Sequence, residues 1–491
     1  MKYLIALDAG TTSVRAFVYD LAEKKFVYRA QQEVGQSFPQ PGWVEQDADE
    51  IYYKTAYVLN DCLRFAGEKE VAGVGFTNQR ETTVLWDRET GEPICPAIGW
   101  QCRRTSDWCR ALDDATKALV RARTGLVPDA YFSASKILWN LEHIPAAKRL
   151  LAEGRLCAGT VDSYLIFKFT EGRSFVTDVT NASRTMLYNI HTLDWDEELL
   201  ACFGIPREIL PEVRACDARF GEISLRDRVL PIAGLAGDQQ AALIGQGCLE
   251  VGEGKITYGT GLFLLFSTGA RAITSSNGLL TTIGCRIGGR TMYALEGSAF
   301  HAGSGVQWLR DGLGLIPNAA ETQTLAESVP DSGGVVFVPA FTGLGAPYWD
   351  AEARALFAGI TRGTTRAHLV RAVLESIAFE ARELVDCIRA EGVNISLVRC
   401  DGGASANDFL MQCQADVLGV PVDRPQERES TALGAAMLCA LSLGLADLHS
   451  LPEYRFAGQV FMPNFARKDV CEAEYRTYRT AVRRALLRPE E

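Results

Sequence analysis

Short apolar runs and longer periodic segments follow one another along the chain. Residues 3–7, 14–19 and 71–76 are short runs rich in β-branched and aromatic side chains, which predicts strands. Residues 49–63 instead place apolar side chains three or four positions apart, which is the period of an amphipathic helix. Strands and helices that alternate in this way predict the α/β fold class.

The pattern at the start of the chain is repeated near its middle. Residues 3–19 predict a strand, a glycine turn and a second strand, and residues 255–266 follow the same plan. Four glycines crowd residues 245–254 just before the repeat, which is typical of a domain boundary. We therefore predict two related domains, residues 1–247 and 248–491, that face one another across a cleft.

Composition narrows the class of protein. At 491 residues the chain is long enough for two or more cores. Its 50 basic and 61 acidic side chains give a net charge of −11, which argues against a surface that binds nucleic acid. Any anionic substrate must therefore be held by local groups rather than by the overall field.

Cysteine usage and hydropathy favour a location inside the cell. The 14 cysteines include no CxxC pair, which favours reduced thiols over disulfides. The longest apolar stretch, residues 432–446, falls short of the roughly 20 residues that a membrane helix needs. We therefore expect a cytoplasmic protein without a membrane span.

Three glycine-rich turns follow predicted strands, at residues 8–13, 259–261 and 402–403. Backbone N–H groups of such turns suit the oxygens of a phosphate, and threonine hydroxyls in the first two add donors. Each turn alone has an ordinary explanation, because glycine also supplies positive φ angles in simple hairpins. Together, with the third turn opening a helix from about residue 405, they predict a nucleoside triphosphate in the cleft. The chain lacks the GxxxxGKS/T and GxGxxG patterns, which argues against Walker-type and Rossmann sites.

Two aspartates follow or end predicted strands. Asp8 lies just before the first glycine turn, where a carboxylate suits Mg²⁺ bound through water, although a turn-capping Asp has the same position. Asp238 follows the apolar residues 229–236 and begins a helical run, so an ordinary N-cap is one interpretation. Its position directly ahead of the predicted domain boundary favours a role in the cleft.

Arg80 and Glu81 follow the strand predicted at residues 71–76. The guanidinium can donate a hydrogen bond to one hydroxyl group of a ligand while the carboxylate accepts one from the neighbouring hydroxyl. A surface ion pair is the simpler interpretation. Three aromatic residues are candidates either for the wall of such a pocket or for ordinary core: Trp100, Tyr131 and Phe263.

Two further patterns carry no prediction of chemistry. Residues 133–136 match the SxxK pattern of acyl-serine enzymes, but the companion motifs of those enzymes are missing, so we interpret the match as chance. The five histidines show no metal-ligand spacing.

Several segments of the sequence resemble the glycerol kinases of the FGGY family of carbohydrate kinases. The resemblance runs in order through nearly the whole chain and weakens only after about residue 451. It rests on residues 8–13, 78–83, 100–104, 180–186, 236–242, 257–261, 307–310, 341–350 and 401–407.

The resemblance implies two ribonuclease-H-like domains of the actin, Hsp70 and hexokinase superfamily, with an active-site cleft between them. It implies an enzyme that transfers the γ-phosphoryl group of MgATP to a terminal hydroxyl of glycerol, giving sn-glycerol 3-phosphate and ADP, in glycerol uptake and degradation. It also implies a homodimer or homotetramer. Residues 463–475 differ from the segment with which some members bind a sugar-transport regulator, so the sequence does not favour that partner.

By the same resemblance, Asp238 acts as general base, Asp8 supports Mg²⁺ through water, and Arg80 is the cation paired with Glu81. The residues expected to bind glycerol are Arg80, Glu81, Tyr131, Asp238 and Gln239, with Trp100 and Phe263 against its carbon atoms. The residues expected to bind ATP or ADP are Thr11, Thr12, Ser13, Arg15 and Thr260 at the phosphate end, and Gly303, Gln307, Gly403 and Asn407 around the α-phosphate, ribose and adenine.

The sequence leaves two other functions open. A sister kinase for another polyol or ketose would keep the phosphate turns and Asp238 but lose the Arg80–Glu81 pair, which is present. A non-catalytic member of the same ATPase superfamily would use the hairpins to bind ATP and signal by domain closure. The combination of Asp238 with a polyol pocket argues against this second alternative.

Overall fold

The computed structural model describes residues 2–67, 70–350 and 352–487. Helices and strands alternate along these residues, as predicted. The elements of the first half are β1 (Lys2–Ala9), β2 (Ser13–Asp20), β3 (Lys25–Glu33), β4 (Glu45–Gln46), α1 (Ala48–Ala66), β5 (Glu70–Asn78), β6 (Thr83–Asp87), β7 (Ala97–Ile98), α2 (Ser106–Ala111), α3 (Asp114–Thr124), α4 (Ser133–His143), α5 (Pro145–Ala152), β8 (Leu156–Thr160), α6 (Val161–Phe169), β9 (Val176–Asp178), α7 (Val179–Ala182), β10 (Tyr188–Asn189), β11 (Asp194–Trp195), α8 (Glu197–Phe203), β12 (Glu212–Arg214), β13 (Arg219–Leu225), β14 (Arg228–Gly237) and α9 (Asp238–Gly245).

The second half continues the alternation with fewer and longer elements. They are β15 (Gly254–Tyr258), β16 (Leu262–Gly269), β17 (Leu280–Ile287), β18 (Arg290–Ala299), α10 (Gly303–Gln307), α11 (Glu321–Glu327), β19 (Val336–Val338), β20 (Leu356–Ala358), α12 (Arg366–Ala390), β21 (Val398–Asp401), α13 (Asp408–Leu418), β22 (Val422–Pro425), α14 (Ser430–Ser442), β23 (Gly458–Phe461) and α15 (Lys468–Ala485).

Six strands of the first half form one mixed sheet in the order β13–β14–β5–β1–β2–β3. β1 pairs antiparallel with β2 and parallel with β5, and β14 continues the parallel set beside β5. The hairpin predicted at residues 3–19 is therefore confirmed. Because β1, β5 and β14 run in one direction, their carboxyl ends meet at one edge of the sheet, where ligands of α/β proteins usually bind.

The second sheet has seven strands in the order β17–β18–β16–β15–β21–β22–β23. β15 and β16 form the second predicted hairpin, and β21 and β22 extend it in parallel, as β5 and β14 do in the first sheet. The helix predicted from about residue 405 begins instead with a 3₁₀ turn at Gly403–Ala406. α13 starts later because the side chain of Asn407 accepts a hydrogen bond from the N–H of Leu410 at 3.0 Å and so caps the helix there.

A helix from each half packs on the sheet of the other half. α9 contacts β15, β16 and β17 of the second sheet, and α14 contacts β1, β5 and β14 of the first. The largest apolar core accordingly joins Leu4 and Phe17 of the first sheet with Leu265 of the second and Leu433 of α14. The carboxyl edges of the two sheets are thereby fixed relative to one another.

α9 and α14 also cross each other at very short range. A Cβ atom added at Gly434 would lie 1.8 Å from the carbonyl oxygen of Ala241, and one added at Gly245 would lie 2.0 Å from that of Ser430. No side chain fits at that separation, so both positions need glycine.

The cysteines fit the prediction of unpaired thiols. All 14 are free, and most are buried. Burial raises the pKa of the Cys62 thiol to about 12, which makes it a weak nucleophile. Within the described residues, no helix is both long and apolar enough to cross a membrane.

Candidate active site

The carboxyl edge of the first sheet brings three predicted site segments together. In the register of the parallel strands, Ala9 of β1 lies beside Asn78 of β5, which lies beside Gly237 of β14. The residues that follow those three positions therefore emerge side by side: the first glycine turn, the Arg80–Glu81 pair, and Asp238.

The guanidinium of Arg80 lies at the centre of a buried charge network. Its Nη1 donates to Oε2 of Glu296 at 2.8 Å, and its Nη2 donates to Oε1 of the same residue at 2.9 Å. Its Nε lies 3.4 Å from Oδ1 of Asp238 and 3.8 Å from Oε1 of Glu81. Arg80 is 3% exposed and Glu81 is 1% exposed, which excludes a surface ion pair. Since Glu296 belongs to β18, the network joins the two sheets.

Glu81 has a closer cationic partner than the one expected. Nε of Arg184 donates to Oε1 of Glu81 at 2.7 Å, and Nη2 of Arg184 donates to Oε1 of Glu296 at 3.0 Å. Removal of Arg80 would therefore not leave Glu81 unpaired, contrary to the pairing implied by the sequence. Burial alone would raise the pKa of Glu296, but Arg184 and Arg80 outweigh it and lower that pKa to about 2.

Asp238 is the first residue of α9, directly after β14. Gly237, not Asp238, is the N-cap residue, so the N-cap interpretation is wrong. Oδ1 of Asp238 accepts a hydrogen bond from the N–H of Gln239 at 2.7 Å, and the side chain is 31% exposed. Burial raises the pKa of the Asp238 carboxyl to about 6, although Arg80 opposes the shift. Near neutral pH the group is an ionised carboxylate that can accept a proton.

Three aromatic rings contact one another beside the charge network. The ring of Trp100 lies 5.5 Å from that of Tyr131 and 6.3 Å from that of Phe263, both in edge-to-face geometry. Nε1 of Trp100 donates to Oγ1 of Thr11 at 3.0 Å. All three rings are half-buried, which fits a pocket wall better than core. Phe263 lies on β16, so both halves contribute to this wall.

Lys255 carries a buried positive charge next to Asp238. It is 0% exposed at the start of β15, and its Nζ donates to Oε1 of Gln239 and, at 2.6 Å, to Oγ1 of Thr257. Burial lowers the pKa of the Lys255 ammonium, while Asp401 and Asp238 oppose that shift. Gln239, a predicted site residue, is thus held between the two halves.

The first glycine turn places Asp8 and Arg15 on neighbouring strands. Arg15 forms an ion pair with Asp8, and its Nη1 also donates to Oε2 of Glu429 at 2.6 Å, just before α14. Thr12 is exposed, and Thr11 and Ser13 are half-buried, so the turn presents hydroxyl groups to the cleft.

The donor set at Asp8 fits a magnesium ion that keeps most of its water. Among the described residues, no three His, Cys, Asp or Glu side chains lie close enough together to hold a metal ion. Mg²⁺ is commonly bound by one or two carboxylates, with water and substrate phosphates as its other ligands. A single carboxylate at a phosphate-type turn matches that mode.

The second glycine turn packs against the start of α10. The N–H of Gly303 donates to the carbonyl of Gly259 at 2.9 Å, and the N–H of Ser304 donates to the carbonyl of Thr260 at 3.1 Å. Thr260 itself is exposed, as is Gln307 at the end of α10. These contacts bring three predicted nucleotide residues onto one surface.

The third glycine turn lies beside the second because β21 is parallel to β15. Gly402 has φ +88°, and an added Cβ there would lie 2.6 Å from the carbonyl oxygen of Tyr258, so this position needs glycine. Gly403 is exposed beyond it, and Nδ2 of Asn407 donates to Oγ1 of Thr322 at 3.0 Å.

The sequence did not identify three charged residues of the site: Arg184, Lys255 and Glu296. Arg184 lies in residues 180–186, a segment used only for the resemblance. Glu296 and Lys255 each interrupt an apolar strand, and a charge inside a buried strand needs a partner. That signal predicts a buried ion pair, but it does not say which residue is the partner.

The chain matches both domains of one family over most of its length. Residues 3–245 match the N-terminal domain of the FGGY family of carbohydrate kinases, and residues 254–443 match its C-terminal domain. The chain belongs to the FGGY family of carbohydrate kinases. The two-domain α/β fold expected from the resemblance is confirmed by this membership and by the solved structures that follow.

Curated proteins and solved structures of other kinases are similar to this FGGY kinase over nearly the whole chain. A glycerol kinase of Alkalilimnicola ehrlichii is 52% identical over 491 residues, covering 99% of this chain and 98% of the relative. A crystal structure of Plasmodium falciparum glycerol kinase with ADP superposes with a TM-score of 0.92 at 36% identity, covering 100% of this chain and 99% of that one. A ligand-bound xylulose kinase of Lactobacillus acidophilus has a TM-score of 0.89 at 23% identity, covering 99% and 98%, and so shares the fold.

Proposed function

We propose that this FGGY kinase transfers the γ-phosphoryl group of MgATP to a terminal hydroxyl of glycerol, giving sn-glycerol 3-phosphate and ADP. The observation that carries the proposal is the meeting of Arg80, Glu81 and Asp238 at one sheet edge, with Nε of Arg80 3.4 Å from Oδ1 of Asp238. The 52% identity to a full-length glycerol kinase supports glycerol as the substrate.

A small polyol fits the chemistry of the pocket. Arg80 offers donors, Glu81 offers an acceptor, and the hydroxyl of Tyr131 and the amide of Gln239 can serve either way. The rings of Trp100 and Phe263, whose centroids lie 6.3 Å apart, would pack against the carbon atoms of the polyol. We therefore assign the hydroxyls to these polar groups and to Asp238, and the carbon chain to the aromatic wall.

The nucleotide belongs, in this proposal, between the two glycine-turn hairpins. Thr11, Thr12, Ser13, Arg15 and Thr260 would meet its phosphates, and Gly303, Gln307, Gly403 and Asn407 would surround the rest. Mg²⁺, held near Asp8 through water, would neutralise charge on the phosphates when bound. Arg15 is already paired with two carboxylates, which would orient its guanidinium before the nucleotide arrives.

The protein's part in the reaction is to position groups and to accept a proton. Phosphoryl transfer passes through a loose transition state, so orientation and charge neutralisation dominate. Asp238 would orient the attacking hydroxyl and accept its proton late in the transfer. The Lys255 ammonium, which donates to Gln239 beside Asp238, would add a positive charge near the transferred group.

We further propose that the domains divide at residues 247/248, that the protein works in the cytoplasm, and that it forms a homodimer or homotetramer. The two family matches, which end at residue 245 and start at residue 254, support the division. The free cysteines support a reducing compartment.

A coupled assay of ADP release tests the function directly. The purified protein is given MgATP alone, MgATP with glycerol, and MgATP with xylulose. Glycerol-dependent release at least a hundredfold above the other two is expected. Greater release with xylulose would instead identify a sister kinase. ADP release that neither polyol stimulates, or none at all, would identify a member of the ATPase superfamily that is not a polyol kinase.

A further inference from the structure

Lys136 lies fully buried behind the proposed polyol pocket, in the first turn of α4. It is 1% exposed, and burial lowers the pKa of its ammonium to about 8. Among the described residues no carboxylate forms an ion pair with it within 4 Å. A buried ammonium without an ion-pair partner disfavours folding, so its position calls for an explanation other than stability.

The ammonium of Lys136 bonds two main-chain carbonyl groups from distant parts of the chain. Nζ donates to the carbonyl of Tyr131 at 2.5 Å and to the carbonyl of Glu81 at 3.3 Å. These two residues supply the phenol and the carboxylate on either side of the proposed polyol. The lysine therefore connects the backbones that carry both groups.

The backbone of Glu81 needs such support. Its φ is +62°, in the left-handed region that residues with a side chain rarely adopt. Its carbonyl also accepts hydrogen bonds from Oγ of Ser133 at 3.1 Å and from Oγ1 of Thr83 at 3.1 Å. Three side-chain donors on one carbonyl restrict that peptide to a single orientation.

We propose that Lys136, assisted by Ser133, is a positioning residue for the polyol: it fixes the spacing between the carboxylate of Glu81 and the hydroxyl of Tyr131. This rests on the proposed function for the identity of the substrate, but not for the geometry. The serine and lysine of residues 133–136 both donate to the carbonyl of Glu81, a contact unrelated to the chemistry of acyl-serine enzymes.

Kinetics of three variants test the proposal. Lys136→Met keeps the length and apolar stem but loses the donors, and it should raise the KM for glycerol at least tenfold while the KM for ATP stays within twofold. Ser133→Ala should raise the KM for glycerol two- to fivefold. Ser135→Ala is the matched control, because Oγ of Ser135 bonds Oγ1 of Thr105 at 2.8 Å instead, and it should change neither KM.

Two outcomes would overturn the positioning role. One is an Lys136→Met enzyme with the same glycerol KM as Ser135→Ala. The other is a loss of kcat with both KM values unchanged, which is what a smaller folded fraction would give. Lys136→Gln, which keeps one donor group, replaces the Met variant if that protein does not fold, and an intermediate KM is expected for it.

A crystal structure of the Lys136→Met variant separates this proposal from the proposed function. Rotation of the Glu81–Thr82 peptide, seen as a change in ψ of Glu81 and φ of Thr82, is expected, whereas an unchanged peptide would contradict the role of Lys136. That readout needs no turnover. A wild-type protein without glycerol-dependent ADP release would overturn the function alone.

Discussion

Both carboxylate oxygens of Glu296 accept hydrogen bonds from Nη1 and Nη2 of Arg80, at 2.8 and 2.9 Å, although 216 residues separate the two along the chain. The carboxylate comes from the second sheet and the guanidinium from the edge of the first. This bidentate contact fixes the plane of the guanidinium, and so decides which of its N–H groups remains for a ligand in the cleft. The side of the pocket formed by the first half is thus oriented by the second.

Loss of that carboxylate charge should weaken polyol binding. Glu296→Gln replaces the charged acceptor that Arg80 and Arg184 share by a neutral amide oxygen, while Arg184 keeps its bond to Glu81. We expect the KM for glycerol to rise on the order of 10- to 100-fold. The KM for ATP should change by less than threefold. Glu472→Gln is the control, because it removes a carboxylate from a partly exposed pair with Arg382 far from the cleft. A normal glycerol KM in Glu296→Gln would contradict the role given to this contact.

The raised pKa of Asp238 is expected to set the acid limit of activity. A base must be ionised, so kcat/KM for glycerol should fall about tenfold per pH unit below pH 6, where Asp238 takes up a proton. Asp238→Asn should lower kcat by about 10²- to 10⁴-fold at pH 8 and remove this acid limb, with nucleotide affinity retained. A wild-type profile that stays flat down to pH 5 would argue against Asp238 as the base.

Arg80→Ala should separate the two substrates. It removes the donor proposed for the polyol and leaves Glu296 with Arg184 as its remaining partner in the pair network. We expect the KM for glycerol to rise far more than that for ATP. Arg207→Ala, in an exposed pair with Asp194, provides the control. Equal increases in both KM values would mean that Arg80 serves the cleft as a whole rather than the polyol pocket.

The crossing of α9 and α14 predicts a large effect of one methyl group. Gly434→Ala would place Cβ 1.8 Å from the carbonyl oxygen of Ala241, and the helices must separate to admit it. We expect the free energy of unfolding in urea to fall by about 1–3 kcal/mol or more. Gly363→Ala, whose added Cβ would meet nothing closer than 3.8 Å, should stay within about 0.5 kcal/mol of wild type.

The sequence was sufficient for the features that depend on local pattern. Both hairpins and the three glycine turns follow from apolar runs and glycine positions, and the family resemblance supplied the expected residue roles. The partner of Glu81 could not be predicted, because Arg184 lies 103 residues away and only the folded sheets bring the two together. The same is true of Lys136, whose carbonyl partners carry no side-chain signature.

The exchange of helices between the halves has a consequence for synthesis on the ribosome. The helix that covers β1, β5 and β14 is encoded at Ser430–Ser442, whereas those strands are complete by residue 237. One apolar face of the early sheet therefore stays uncovered while about two hundred further residues are translated. During that interval the nascent chain exposes an apolar surface that favours aggregation, and a chaperone that covers this surface would act then.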